Sequence, residues 1–133
     1  MQVLCGTDIT DVKRIEKAVK SNPGFAAKVF TQDEILYCNA KKAGCYQSYA
    51  VRFAAKEAFL KALGVGISKG AALAEVEVAN DEATGAPFLR LHGGAAEQYG
   101  RKNGESLSVS LSHTNDMAIA TVIILCGESR ADT

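Results

Sequence analysis

The sequence predicts an α+β fold: a mainly antiparallel sheet packed with a long central helix and shorter helices. Three observations predict it. Residues 47–63 run without Gly or Pro at buried-helix spacing, and Gly64 follows as a helix-ending residue. Residues 106–113, Ser-Leu-Ser-Val-Ser-Leu-Ser-His, put serines on one face and aliphatics on the other. Residues 117–125 form an apolar run, and Thr114-Asn115-Asp116 between the two segments is turn chemistry, so the pair reads as an antiparallel hairpin.

The remaining elements follow in order. Residues 2–7 read as a first strand, with Asp8 at its C-terminal end. Over 10–20, Val12, Ile15, Ala18 and Val19 recur at helical spacing, and Lys13, Arg14, Lys17 and Lys20 fill the opposite face. Asn22-Pro23-Gly24 ends that helix. Thr31 with Glu34 three residues on is a capping box, which predicts a helix through about 39. Residues 40–46 read as a loop. Residues 64–70 are a glycine-rich loop without the GxxxxGK[ST] order of a P-loop. Segments 75–79 and 88–92 alternate, and the turn-rich 80–87 joins them as a hairpin. A short helix over 94–103 stops at Gly104. The organisation expected is one domain over 1–126 and a frayed tail over 127–133.

A chain of 133 residues fits one domain, toward the size where oligomerisation adds burial. Its 15 basic and 15 acidic residues cancel, which excludes the whole-molecule field of a dedicated nucleic-acid binder; a cationic site must be local. The longest apolar run, 117–126, is too short to span a membrane as a helix, and the N-terminus lacks the basic and apolar regions of a signal peptide. Cys5, Cys38, Cys45 and Cys126 form no CxxC and stand near no histidine pair, so they read as reduced thiols, with a Cys38–Cys45 bridge as the alternative. A soluble cytoplasmic protein is expected.

The chemistry concentrates on the long helix. Glu57 and Lys61 are four apart and share one stripe; Arg52 and Lys56 share another. Glu57 and Lys61 alone read first as an ordinary surface ion pair. Asp8 changes the weighting: Asp11 is the better placed cap for the following helix, which leaves Asp8 for another task. Asp8 with Glu57 suits Mg²⁺, which takes one or two carboxylates, waters and phosphate oxygens. Cations Arg52, Lys56 and Lys61 would then offset phosphate charge. His113 ends a strand at a turn, where a plain surface histidine is the competing reading. A Ser-His hydrolase lacks a GxSxG elbow.

Gly6-Thr7-Asp8 followed by Arg14, then Arg52-Phe-Ala-Ala-Lys56-Glu57-Ala-Phe-Leu-Lys61-Ala-Leu-Gly64, then Ser110-Leu-Ser112-His113-Thr114, resembles the holo-acyl-carrier-protein synthases, the small 4′-phosphopantetheinyl transferases. The similarity runs from Gln2 to about Leu125, in the family's order and spacing. It implies the 4′-phosphopantetheinyl transferase fold and a Mg²⁺-dependent transfer of 4′-phosphopantetheine from coenzyme A to a serine of apo acyl carrier protein, releasing adenosine 3′,5′-bisphosphate and supporting fatty acid biosynthesis. Asp8 and Glu57 would hold the metal, and Asp8, Glu57 and Lys61 would carry catalysis. Glu57 is the expected base, directly or through water, with a metal-bound water as the alternative. Coenzyme A would meet Arg52, Lys56, Lys61, Gly64 and His113. Further contacts fall on Gly85 and Pro87 of a Gly-x-Pro loop, where Ala86 stands in place of the common Lys, and on Ser110 and Thr114. The acidic carrier would dock on Lys13, Arg14, Lys17, Phe25 and Lys28. A homotrimer with active sites at subunit boundaries is implied. The runner-up readings are a non-catalytic carrier-protein or coenzyme A binding module of the same fold and, last, a phosphohydrolase.

Overall fold

A computed structural model describes residues 1–65 and 72–128. The elements are β1 (Gln2–Asp11), α1 (Val12–Ser21), α2 (Phe25–Val29), α3 (Gln32–Ala40), α4 (Cys45–Leu63), β2 (Val76–Asn80), β3 (Pro87–Leu91), α5 (Gly93–Arg101), β4 (Gly104–His113) and β5 (Met117–Cys126). The α+β expectation holds: β1, β5 and β4 form an antiparallel sheet in that order, β2 and β3 form a hairpin, and α4 runs through the core. Cys38 and Cys126 are buried and all four cysteines are free thiols; burial pushes Cys38 up to about 11.

Each strand of the larger sheet alternates as its sequence dictates. In β5 the even-numbered Ala118, Ala120, Val122 and Ile124 face α4 and are buried. In β1 the even-numbered Gly6, Asp8 and Thr10 face the helix while Val3 and Ile9 face out. Gly6 is where strand and helix come closest: a Cβ there would lie 2.0 Å from the Ala58 carbonyl oxygen and 2.6 Å from the Ala62 nitrogen. Only glycine permits this approach.

Most strand and helix ends shift by one or two residues from expectation, and four differences are larger or bear on the site. Asp8 lies inside β1 rather than at its end, because β5 pairs with β1 in unbroken register from Gln2↔Cys126 to Asp11↔Met117. The backbone has a partner for every residue beyond Thr7, so the strand continues. Residues 40–46 are not a plain loop. A 3₁₀ turn over Lys42–Gly44 leads directly into α4, which begins at Cys45. Helix α2 was not anticipated; its five residues are too few for periodicity to register. The 94–103 helix is α5, displaced one residue at its start and ending at Arg101. The Asp11 cap and the Thr31/Glu34 capping box are both formed, and Gly64 ends α4 at φ +75°. Most of the 64–70 glycine-rich loop and of the 127–133 tail lies outside the described residues.

Candidate active site

Two separate clusters hold the residues that the sequence singles out, and helix geometry explains why. At about 100° per residue, Arg52 and Lys61 differ by about 180° around α4 and by about 13 Å along it. Glu57 and Lys61 therefore face β1, whereas Arg52 and Lys56 face α3 and β2.

In the first cluster, Lys61 Nζ donates to Asp8 Oδ1 at 2.9 Å and to the Thr7 carbonyl at 3.1 Å. The Thr10 hydroxyl donates to Asp8 Oδ2 at 2.8 Å, fixing the carboxylate. Glu57 is raised above its ordinary pKa by burial first and by the Asp8 charge second, with Lys61 and Arg14 pulling the other way. This is a carboxylate pair short of a compensating cation. Two anionic oxygen donors in a partly buried corner, beside a half-exposed lysine, are a donor set a hard divalent ion can take. Among the described residues no group of three or more His, Cys, Asp or Glu could hold a metal, so any ion here leaves positions for ligand oxygens and water.

One turn before Glu57 on α4, Phe53 joins this cluster to the expected carrier surface. The Arg14 guanidinium lies over its ring at 6.0 Å, and Phe25 packs against it at 6.4 Å between centroids. Lys13, Lys17 and Lys28 are exposed nearby on α1 and α2.

The second cluster surrounds a cleft of about 340 Å³ whose walls include Tyr37, Lys41, Ser48, Arg52, Pro87 and His113. Arg52 is 3% exposed. Its Nη1 donates to Ser48 Oγ at 3.2 Å and its Nη2 to Asn80 Oδ1 at 2.6 Å, and Tyr37 stacks on it at 4.0 Å. Gly85, at φ +77°, lines the adjoining hollow on the other side of Arg52. His113 closes the far wall at the end of β4. Ser110 lies instead on the exposed outer face of the sheet, and Thr114 shapes the β4–β5 turn, its hydroxyl accepting from the backbone of Asp116 and Met117. Gly64 is the exposed C-cap of α4.

Lys56 differs from the expectation of a cation that reaches coenzyme A phosphates. It is 0% exposed, and its ammonium donates to Glu34 Oε1 at 2.6 Å and to the carbonyls of Leu73 and Val76. All three of its protons are taken inside the protein. Glu34 also accepts from the Val78 and Thr31 backbone, so the pair ties α3 and α4 to β2. Reading Lys56 and Arg52 as one stripe was right, but a stripe does not reveal which wall the protein builds over it. Sequence reasoning also passed over Lys41 and Asn80, which stood in segments read as loop and turn, and Tyr37, which stood in a predicted helix with nothing in its spacing to link it to Arg52.

Comparison with known proteins gives one consistent result. Residues 4–122 match the 4′-phosphopantetheinyl transferase superfamily. A holo-[acyl-carrier-protein] synthase of Ruminiclostridium cellulolyticum is 49% identical over 97% of this chain and 96% of its own. Among solved structures, the Helicobacter pylori holo-[acyl-carrier-protein] synthase in complex with coenzyme A is 35% identical with a TM-score of 0.79, covering 92% of this chain and 100% of its own. The Neisseria meningitidis synthase is 31% identical with a TM-score of 0.80, over 92% and 97%.

Proposed function

Because the chain belongs to the 4′-phosphopantetheinyl transferase superfamily, we propose that its two clusters are the two halves of a holo-[acyl-carrier-protein] synthase active site, joined by self-association. The reaction moves 4′-phosphopantetheine from coenzyme A to a serine hydroxyl of apo acyl carrier protein and releases adenosine 3′,5′-bisphosphate. The Asp8–Glu57–Lys61 cluster carries this reading. Two hard oxygen donors beside one lysine are the groups that compensation of a pyrophosphate's charge requires, which supports the reading.

Asp8 and Glu57 would hold Mg²⁺, which when bound offsets the charge of the pyrophosphate oxygens. Thr10 keeps Asp8 in one orientation. Lys61 exchanges its bond to Asp8 for the pyrophosphate and stabilises the leaving phosphate as the β-phosphorus–oxygen bond breaks. Glu57 takes the proton of the attacking serine, directly or through a water. The carrier enters over Lys13, Arg14, Lys17, Phe25 and Lys28, which border Glu57 through Phe53. The nucleotide end lies in the second cluster, with Lys41 as its exposed cation and His113 as a hydrogen-bonding group on the far wall. Lys56 is part of the framework there.

Assembly follows from the same geometry. In the order β1-β5-β4, Asp8 stands on one outer strand and His113 on the other. Across the outer sheet face, Val3, Ile9, Met117, Ile119 and Ile123 are 39–62% exposed, an apolar patch that calls for a partner. Joining the β1 side of one copy to the β4 side of the next is a head-to-tail contact, which closes as a ring; three copies make a homotrimer with a complete site at each boundary. Residues 1–126 act as one domain in this assembly. No described helix is long and apolar enough to cross a membrane, and the reading places the enzyme in the cytoplasm, supplying fatty acid biosynthesis with active carrier.

Incubation with coenzyme A, Mg²⁺ and apo carrier should add a phosphopantetheine mass to the carrier. No gain with several carriers would overturn the reading. Coenzyme A binding without turnover would favour the non-catalytic module.

A further inference from the structure

Resting on the proposed function, we propose that Asn80 is a positioning residue for the nucleotide end of coenzyme A, acting through the Gly85 carbonyl to hold the Gly85–Pro87 segment against α4. Its amide is used at both ends. Oδ1 accepts from Arg52 Nη2 at 2.6 Å, and Nδ2 donates to the Gly85 carbonyl at 3.1 Å. Arg52 is itself immobile, being buried, stacked on Tyr37 and bonded to Ser48. A rigid guanidinium on the central helix is thus linked through one amide to the tip of the β2–β3 hairpin.

The turn does not need this link for its shape. The Asp81 and Ala86 backbones pair at 2.9 Å, Gly85 N–H donates to the Asp81 carbonyl at 2.8 Å, and Asp81 Oδ1 accepts from Ala83 and Thr84. Gly85 supplies the positive φ. What Asn80 adds is the turn's placement, and Pro87 forms a cleft wall facing His113. Arg52 makes no ion pair among the described residues, and its Nε is buried without a partner. The carboxylates Asp33, Glu77, Asp81 and Glu82 line the adjoining hollow, whereas the cleft itself is lined by Arg52 and Lys41 and, among the described residues, by no carboxylate, so its charge favours an anion.

Two variants test this. Asn80→Ala removes both bonds. Asn80→Asp keeps an acceptor for Arg52 but has no donor for Gly85. Both should raise the KM for coenzyme A about tenfold and leave kcat within about twofold, as expected when a bond to a positioned group is lost. The Kd for adenosine 3′,5′-bisphosphate, read by calorimetry, should rise in parallel. Unchanged KM and Kd in either variant would overturn the proposal, as would a fall in kcat at constant KM. Unfolding of Asn80→Ala would also overturn it, since the turn would then depend on Asn80 for its shape. A wild-type chain that neither transfers phosphopantetheine nor binds the bisphosphate would instead overturn the proposed function.

Discussion

Glu57 sits half-buried on α4 with the Asp8 charge across from it and Lys61 one turn on. Its folded-state pKa stands above the ordinary 4.5, so the folded protein binds that proton more tightly than the unfolded chain. The stabilising contribution is full below the ordinary value and is lost as pH rises through the folded one. At neutral pH the ionised carboxylate is therefore a small liability for the fold and the price of function. Glu57→Gln should keep a melting temperature equal to wild type or up to about 3 °C higher. It should lose at least about 100-fold in kcat. Added Mg²⁺ should raise the melting temperature of wild type but not of this variant. A clear drop in stability would show that the charge serves the fold instead. The acid limb of the wild-type pH–rate profile should move to lower pH as Mg²⁺ is raised, because a cation beside Glu57 favours its ionised form.

At the level of elements, two contacts decide whether the site exists. Gly6 sets the separation of β1 and α4. Gly6→Ala must push strand from helix, costing about 1–3 kcal/mol in urea unfolding and separating Asp8 from Glu57 and Lys61, so activity should fall further than stability. The buried Glu34–Lys56 pair sets the other wall. Burial pulls Lys56 below its ordinary pKa while Glu34 opposes that. Removing one partner strands a buried charge, so Lys56→Met should cost about 3–5 kcal/mol in urea unfolding, and Glu34→Gln, which keeps an acceptor for the Val78 or Thr31 backbone, should cost less than Glu34→Leu. The long helix, the serine-faced strand and the capping box were legible because periodicity and caps are local. The burial of Lys56 was not, because an i,i+4 spacing fixes a stripe but not what packs on it. Helix α2 and the true start of α4 escaped for a related reason: segments of a few residues take their form from neighbours.

For the whole molecule, the proposed cyclic assembly would make each active site depend on two chains. An Ile119→Lys/Ile123→Glu variant should elute as a monomer in light-scattering chromatography and lose activity while staying folded. Complementation is the sharper measurement. Glu57→Gln disables the metal half and His113→Ala the nucleotide half. When the two inactive proteins are refolded together in equal amounts, about a quarter of the boundaries should pair two intact halves, restoring up to about a quarter of wild-type activity. No recovery would mean that each chain builds its site alone.

The sequence by itself determined the type of the longer elements, the family and Asp8, Glu57 and Lys61 as candidates for one site, because these depend on spacing along the chain and on the identity of functional groups. Only the tertiary structure decided that Asp8 stands within a strand, that Lys56 is a framework ion pair, that Arg52 is clamped between Tyr37, Ser48 and Asn80, and that the predicted site divides into two clusters. The physical reason is that α4 is buried nearly all round. Each of its faces acquires a different partner, and those partners come from segments far away in sequence, whose approach no local pattern encodes.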